Sequence, residues 1–350
     1  NVAVWHFAVP VGQGMTVKLN IRLEMAHNKN AVRLSFERPA SSGENALPDE
    51  QPVKIILRPD LEDRVNHTVT KAYTGPEQRF PWSVQSCENG FVFAPAERKL
   101  RLVMRHGRYV AQPEWQYMVH LPRENYYGLE DHTDMFSPGY FEQRIKGSES
   151  AVLEAEVSWG DAVMESSVPV WPSGKPRPDM TIPDVLQELM NIYTVKRNSL
   201  ATVIAGYPWF LDWGRDTLIC LRGLMAAGKM SDARAIILNF AAFEEHGTIP
   251  NMINGTDVSN RDTVDAPLWL IVAVDDYVQR GGEAVLREKC GGRVLIDVLR
   301  SIVDNYMAGT PNGIKADPAS KLVFAPPHYT WMDTNYPMGT PREGYPVEIQ

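Results

Sequence analysis

Hydrophobic and polar residues alternate along the first part of the chain, which is the pattern of strands with one buried face. In residues 16–25, apolar residues alternate with Lys18, Asn20, Arg22 and Glu24. Short apolar runs recur at residues 32–36, 53–57, 91–93, 100–104, 116–121 and 151–159. Because Pro, Gly and Asn separate these runs, the pattern predicts antiparallel strands in stacked sheets. We therefore expect residues 1–168 to form a β-sandwich.

A proline-rich segment separates this part from a region of helical periodicity. Residues 169–183 contain five prolines, and proline donates no backbone hydrogen bond, so we predict a linker. Residues 184–350 then begin with an amphipathic helix, for which Asp184 is the expected N-cap. Further helices are predicted at about residues 216–227, 231–243 with Ser231 as cap, 262–280, and 284–308 with a break at Gly291 and Gly292. About five helices of this kind fit a bundle, a solenoid or an α/α toroid.

Composition and charge narrow the classes of partner. The chain has 350 residues and a net charge of −8, which disfavours nucleic acid and anionic membranes, because both need a concentrated basic surface. No run reaches the roughly 18 apolar residues of a membrane span, so we expect a soluble protein. Cys87, Cys220 and Cys290 lie far apart in the sequence. They predict neither a disulfide framework nor a metal site, and they favour a reducing, cytoplasmic compartment.

Residues 206–217, GYPWFLDWGRDT, combine large aromatics with an Arg and two acids just before a predicted helix. An aromatic ring stacks on the C–H face of a pyranose, and charged side chains match its vicinal hydroxyls. We therefore predict that Trp209 and Trp213 form a sugar platform and that Arg215 and Asp216 bind hydroxyls. The alternative is structural: Asp216 caps the helix, Arg215 pairs with a neighbour and the Trp residues fill a core.

Residues 329–333, YTWMD, offer a candidate general acid. Trp331 and its aromatic neighbour can exclude water from one side of Asp333, and desolvation raises a carboxylic pKa to the range that protonation of a glycosidic oxygen needs. A lone Asp after Trp is also a common structural residue.

Further acids and one more Arg are candidates for sugar contact. Asn260, Asp262 and Asp265 open an apolar helix, where they serve equally well as cap and first-turn acids. Among these, Asp265 is the better ligand. Arg342 and Glu348, in TPREGYPVEIQ, are candidates for a neighbouring subsite.

Other hydrolytic chemistries lack their motifs. The sequence has no HExxH pair, no Walker-type phosphate loop and no GxSxG elbow. It therefore indicates no metal and no cofactor.

Several motifs together resemble the glucosidase domain of glycogen debranching enzymes. They are GYPWFLDWGRDT, GTIPN at 247–251, VDAPLW at 264–269, TWMD at 330–333 and TPREGYPVEIQ at 340–350. In addition, LPRENYYGLEDHTDMFSPGYF at 121–141 is similar to the N-terminal domain of the bacterial and archaeal branch. The resemblance covers most of the chain, and its most specific blocks are WGRD and TWMD.

The resemblance implies a fold, a substrate and roles for residues. It implies an N-terminal antiparallel β-sandwich followed by a truncated (α/α)6 toroid related to glucoamylase. Its substrate would be glycogen, limit dextrin or a malto-oligosaccharide, from which α-1,6-linked glucose is removed with inversion. Arg215 and Asp216 would line the subsite of the terminal glucose, and Asp333 would be the general acid. The general base of such enzymes lies beyond the TWMD block, so we expect it after Gln350 and expect this segment to be inactive alone.

Two alternatives remain open. One is a glucoamylase-like α-1,4-glucosidase, and the other is a module that binds glucan without cleaving it.

Overall fold

The computed structural model describes residues 2–26, 29–160, 171, 180–197, 200–207, 209–255, 257–333, 343–345 and 347. The chain divides into two compact units, Asn1–Pro176 and Arg177–Gln350. Of the predicted linker, residues 171 and 180–183 are described, and its other residues lie outside the described part.

The N-terminal unit consists mainly of antiparallel strands. Its described strands are β1 (Val2–Gly12), β2 (Met15–Met25), β3 (Ala31–Glu37), β4 (Val53–Leu57), β5 (Val84–Cys87), β6 (Gly90–Phe93), β7 (Arg98–Met104), β8 (Arg108–His120), β9 (His132–Ile145) and β10 (Ser150–Trp159). Two short helices, α1 (Pro76–Trp82) and α2 (Pro122–Tyr126), and a 3-10 turn at Ala72–Thr74 lie between strands. The predicted runs fall within strands, except that the run 116–121 ends at Leu121, one residue after β8, whereas β1, β5 and β9 were not predicted.

These strands form two antiparallel sheets with a common core. One sheet has the order β1-β2-β3-β10-β7-β6-β5, and the other has the order β4-β9-β8. Both sheets contribute buried side chains to one hydrophobic cluster, for example Phe36 and Phe91 from the larger sheet and Phe136 and Phe141 from the smaller one. The prediction of stacked antiparallel sheets is therefore confirmed.

The C-terminal unit is mainly helical. Its described elements are α3 (Ile182–Tyr193), β11 (Thr194–Arg197), β12 (Leu200–Val203), β13 (Asp212–Trp213), α4 (Gly214–Ala226), α5 (Met230–Ala242), β14 (Met252–Ile253), α6 (Ala266–Tyr277), β15 (Lys289–Cys290), β16 (Arg293–Val294), α7 (Leu295–Ala308), β17 (Lys315–Ala316) and β18 (Val323–Phe324). A π turn at Val278–Gly282 and a 3-10 turn at Glu283–Arg287 follow α6. The change from strands to helices is as predicted.

The helix starts differ from the predicted ones. Thr181, not Asp184, is the N-cap of α3, and Asp184 completes a capping box as the third helical residue. Ser231 is not a cap, because α5 begins at Met230 after Lys229. No side chain of α3 is buried, although its apolar residues have helical spacing.

The predicted break at the two glycines is the turn of a small hairpin. β15 and β16 pair on either side of Gly291, which has φ +60°, so the long helix predicted over 284–308 is reduced to α7. A left-handed residue in a tight turn favours glycine because it has no Cβ.

The helices α4 to α7 enclose the core of the C-terminal unit. It includes Leu221 from α4, Phe240 from α5, Leu270 from α6 and Ile302 from α7, all fully buried. No helix in the described part of the chain is long and apolar enough to span a bilayer.

Candidate active site

A pair of two-residue strands joins the GYPWFLDWGRDT motif to the segment that directly follows the GTIPN block. Asp212 and Trp213 of β13 pair with β14, and the backbone N–H of Gly214 donates to the carbonyl of Asn251 at 2.9 Å. A Cβ at Gly214 would lie 2.7 Å from the Pro250 carbonyl oxygen, so only glycine permits this approach. The strand pair therefore fixes where α4 begins, and it places Arg215 and Asp216 in the first turn of that helix.

Arg215 forms a buried ion pair with Asp265. Its Nε lies 2.5 Å from Oδ2 of Asp265, and the two side chains are 13% and 7% exposed. The other oxygen of Asp265, Oδ1, accepts from the Thr263 hydroxyl at 2.8 Å. Asp265 occupies the N-cap position of α6 without making a side-chain capping bond, because its carboxylate is used by Arg215 and Thr263. Arg215 thus makes the ion pair that its structural interpretation predicted.

Asp216 lies among several charges. It exposes surface to solvent, yet protein surrounds enough of its carboxyl group for burial to raise its pKa above the usual value. The Arg215 guanidinium opposes this rise, and the negative charges of Asp265 and Asp333 add to it. These acids come from three segments that are distant in the sequence.

The segment before Asp333 is attached to the segment before α6. The carbonyl of Tyr329 accepts from the backbone N–H of Val264 at 2.8 Å. Burial raises the pKa of Tyr329 to about 12, and the hydrogen bond between its side chain and Asp262 adds to the rise. In the same segment, Nδ1 of His328 lies 3.1 Å from the carbonyl oxygen of Asp333. These contacts hold the backbone of Asp333 beside the Asp265 region.

The predicted aromatic residues differ in exposure. Trp209 and Trp213 are half-buried, while Trp331 is 62% exposed, so its ring leaves most of its surface in solvent. Asp333 itself is half-buried. Their roles in sugar stacking stay predictions.

The remaining candidates are placed as follows. The side chain of Asn260 accepts from the backbone N–H of Asp262 at 3.1 Å, which makes Asn260 a turn residue. Arg342 and Glu348 lie outside the described residues. No group of three or more His, Cys, Asp or Glu side chains suited to a metal occurs in the described ranges.

Sequence reasoning missed the residues that support the site. The buried hydroxyl of Tyr306 donates to the Val264 carbonyl at 2.8 Å, and burial raises its pKa well above the usual value, with a further contribution from the charge of Asp265. Arg261 donates to the carbonyl oxygens of Thr248 and Phe243. In the sequence, Tyr306 looks like an ordinary apolar residue of a helix, and its hydrogen-bond partner Val264 lies 42 residues away, so no local pattern identifies it.

The arrangement combines an Arg with acceptor carboxylates beside half-buried and exposed rings. Carboxylates accept from sugar hydroxyls, a guanidinium donates to them, and a carboxylic acid among like charges can carry a proton. This is chemistry for binding and protonating a polyhydroxylated ligand.

Comparisons with known proteins cover both units. Residues 186–350 match the family model described as Amylo-alpha-1,6-glucosidase, and residues 1–152 match the one described as Glycogen debranching enzyme N terminal. The chain is also similar to the Glycogen debranching enzyme of Saccharomyces cerevisiae, with 32% identity over 137 residues. This match covers 37% of the chain and 9% of the length of the yeast protein.

Proposed function

Because this chain is a glycogen debranching enzyme-like protein, we propose that it contributes to a glycoside hydrolase that acts on glycogen. The bond would be the α-1,6 linkage at branch points of glycogen or limit dextrin. The observation that carries the proposal is the hydrogen bond from Val264 to Tyr329, which joins the YTWMD segment to the start of α6, beside the Arg215–Asp265 pair. This contact supports the proposal that residues distant in the sequence bind one sugar.

Each member of the site has a proposed role. Arg215 and Asp216 bind hydroxyls of the terminal glucose, and Asp265 orients the guanidinium of Arg215. The contacts of Asp265 support this, because both its oxygens are used inside the protein. Trp209, Trp213 and Trp331 provide the apolar surface against which the sugar ring stacks.

Asp333 is the proposed general acid. It gives its proton to the glycosidic oxygen while the bond from that oxygen to C1 breaks. A second carboxylate removes a proton from water, whose oxygen bonds to C1 from the opposite face, so the glucose is released with inverted configuration. The two carboxyl groups of such a pair stand about 6.5 to 9.5 Å apart. The family resemblance assigns the second one to the chain after the TWMD block.

We further propose that the helical unit is the first part of an (α/α)6 toroid. The succession of α4, α5 and α6 around one core supports this arrangement. The short strand pair β13–β14 then lies at the end of the helices where the proposed site is formed.

The test replaces the proposed acid in the full-length protein. Asp333→Asn keeps the size of the side chain and removes its proton, and a general acid contributes about 10²- to 10⁴-fold to a rate. We expect glucose release from limit dextrin to fall by that factor, while binding of a glucose-like iminosugar persists. Asp304→Asn, an exposed acid on α7, is the matched control.

The outcomes separate the alternatives. Undiminished glucose release by Asp333→Asn would show that Asp333 is not the acid. A wild-type protein that binds glucan and releases no glucose would be a binding module. Release from linear oligosaccharides in preference to branched ones would indicate an α-1,4-glucosidase.

A further inference from the structure

The N-terminal unit contains a cavity of about 320 Å³ at one end of its hydrophobic core. Binding pockets for small ligands range from about 300 to 1,000 Å³, so this one is large enough for a small ligand group. Its floor is the face of the larger sheet formed by β6, β7 and β10, and its wall is the loop that contains Glu62 and Asp63.

The strand register places an aromatic ring and a guanidinium side by side in this cavity. Trp159 is the cross-strand partner of Arg98, and Val157 is the partner of Leu100. Paired residues of antiparallel strands project from the same face, so these four side chains line one surface. Trp159 is 52% exposed, although it directly continues the face that carries the buried core.

Polar groups also line the cavity. Arg98 forms an ion pair with Asp63, with Nη2 and Oδ1 2.5 Å apart, and Glu62 accepts from the Thr133 hydroxyl at 2.5 Å. Glu62 also forms an ion pair with Arg64, with 3.0 Å between its Oε1 and Nε of Arg64. An ionised carboxylate accepts about four hydrogen bonds, so each acid can accept further ones. Asn30 also lines the cavity and adds an amide.

We propose that this cavity is a second glucan-binding site, separate from the proposed hydrolytic site, which takes one or two hexose units of a chain. A hexose has an apolar C–H face that fits a Trp ring and hydroxyls that fit carboxylates, a guanidinium and an amide. The choice of an α-glucan as the ligand rests on the proposed function. Such a site would keep the enzyme on a polymer between successive cleavages.

The test measures glycogen binding by the intact protein in native gels that contain glycogen. A glucose-like iminosugar at saturation occupies the proposed hydrolytic site, so the remaining retention reports other sites. Trp159→Ala removes the ring. Trp82→Ala is the matched control, because Trp82 is 91% exposed and does not line the cavity.

We expect Trp159→Ala to raise the dissociation constant for glycogen about tenfold, equivalent to about 1.4 kcal/mol, with Trp159→Phe between it and the wild type. Trp82→Ala should bind like the wild type. Equal retention of Trp159→Ala and Trp82→Ala would overturn the proposal, as would no retention of the wild-type protein. Thermal melting of each variant shows that it is folded.

Hydrolysis of a short branched oligosaccharide distinguishes this proposal from the proposed function. Such a substrate fits the hydrolytic site alone, so Trp159→Ala should cleave it at the wild-type rate and lose rate only on glycogen at low concentration. If Trp159→Ala loses glycogen binding while Asp333→Asn keeps full turnover, the second site stands and the assignment of the acid fails.

Discussion

The buried pair of Arg215 and Asp265 gives a quantitative test of how the site is built. We consider Arg215→Met, which keeps most of the apolar stem, Asp265→Asn, which keeps the shape of the side chain, and the double variant. Because both side chains are almost fully buried, removal of one partner leaves the other charge without compensation.

The surroundings predict that the two single changes are unequal. Breaking a buried ion pair costs about 3 to 5 kcal/mol. Arg215→Met leaves Asp265 close to Asp216, whose charge repels it, so we expect a cost at the upper end of this range. Asp265→Asn leaves Arg215 next to Asp216, which attracts it, and keeps an acceptor for Thr263. Its cost should be about 3 kcal/mol or less.

The assay is a double-mutant cycle of urea unfolding. We expect the double variant to be more stable than the sum of the single changes predicts, by at least about 1 kcal/mol, which exceeds the usual deviation of about 0.5 kcal/mol for independent sites. Additive effects, or a larger cost for Asp265→Asn than for Arg215→Met, would refute the reasoning.

Two further predictions concern Asp216 and the GTIPN block. Asp216→Asn should raise the melting temperature slightly at pH 7. The pKa of Asp216 is higher in the folded than in the unfolded protein, so ionisation of this group destabilises the fold, and the gain should vanish as the pH falls below the ordinary Asp value of 3.8. A series of thermal melts at different pH values measures this. Gly247→Ala should cost about 2 to 4 kcal/mol in urea unfolding, because Gly247 has φ +84° and a Cβ there would lie 2.5 Å from Cβ of Asn305. Gly228→Ala is the control: Gly228 has φ +75°, and an added Cβ there would have no atom within 4 Å, so this variant should cost only the backbone strain of about 1 to 2 kcal/mol. Equal costs for the two variants would contradict the role of the steric clash at Gly247.

The periodicity of the sequence predicted most helices and strands, because the spacing of apolar residues in each element reflects which of its faces is buried. Strands such as β2 and β10 show alternation since one face lies toward the core. β9 was missed: its burial is nearly continuous, without alternation, and its residues 132–145 overlap a stretch that stood out as a family motif. Helix starts were wrong by several residues, as for α6, which begins at Ala266 and not near residue 262, because caps depend on side-chain geometry.

The sequence allows the candidate site to be proposed as a set of residues, but it does not give their arrangement. Arg215, Asp216 and Asp333 were identified by residue type in dense motifs. Arg215 and Asp265 are 50 positions apart in the sequence. The sequence predicted that the Asp265 carboxylate binds the sugar or caps α6, whereas in the structure it binds Arg215. Nothing local in the sequence indicates such a contact, because the two side chains meet only in the folded protein.

The most direct test of the central claim is a crystal structure of the protein bound to a glucose-like iminosugar. The account predicts one hexose ring whose hydroxyls contact Arg215 or Asp216, with the Asp333 carboxyl group about 2.6 to 3.2 Å from the atom that stands for the glycosidic oxygen. A ring bound to Arg215 with Asp333 directed away from it, or bound elsewhere, would contradict the account.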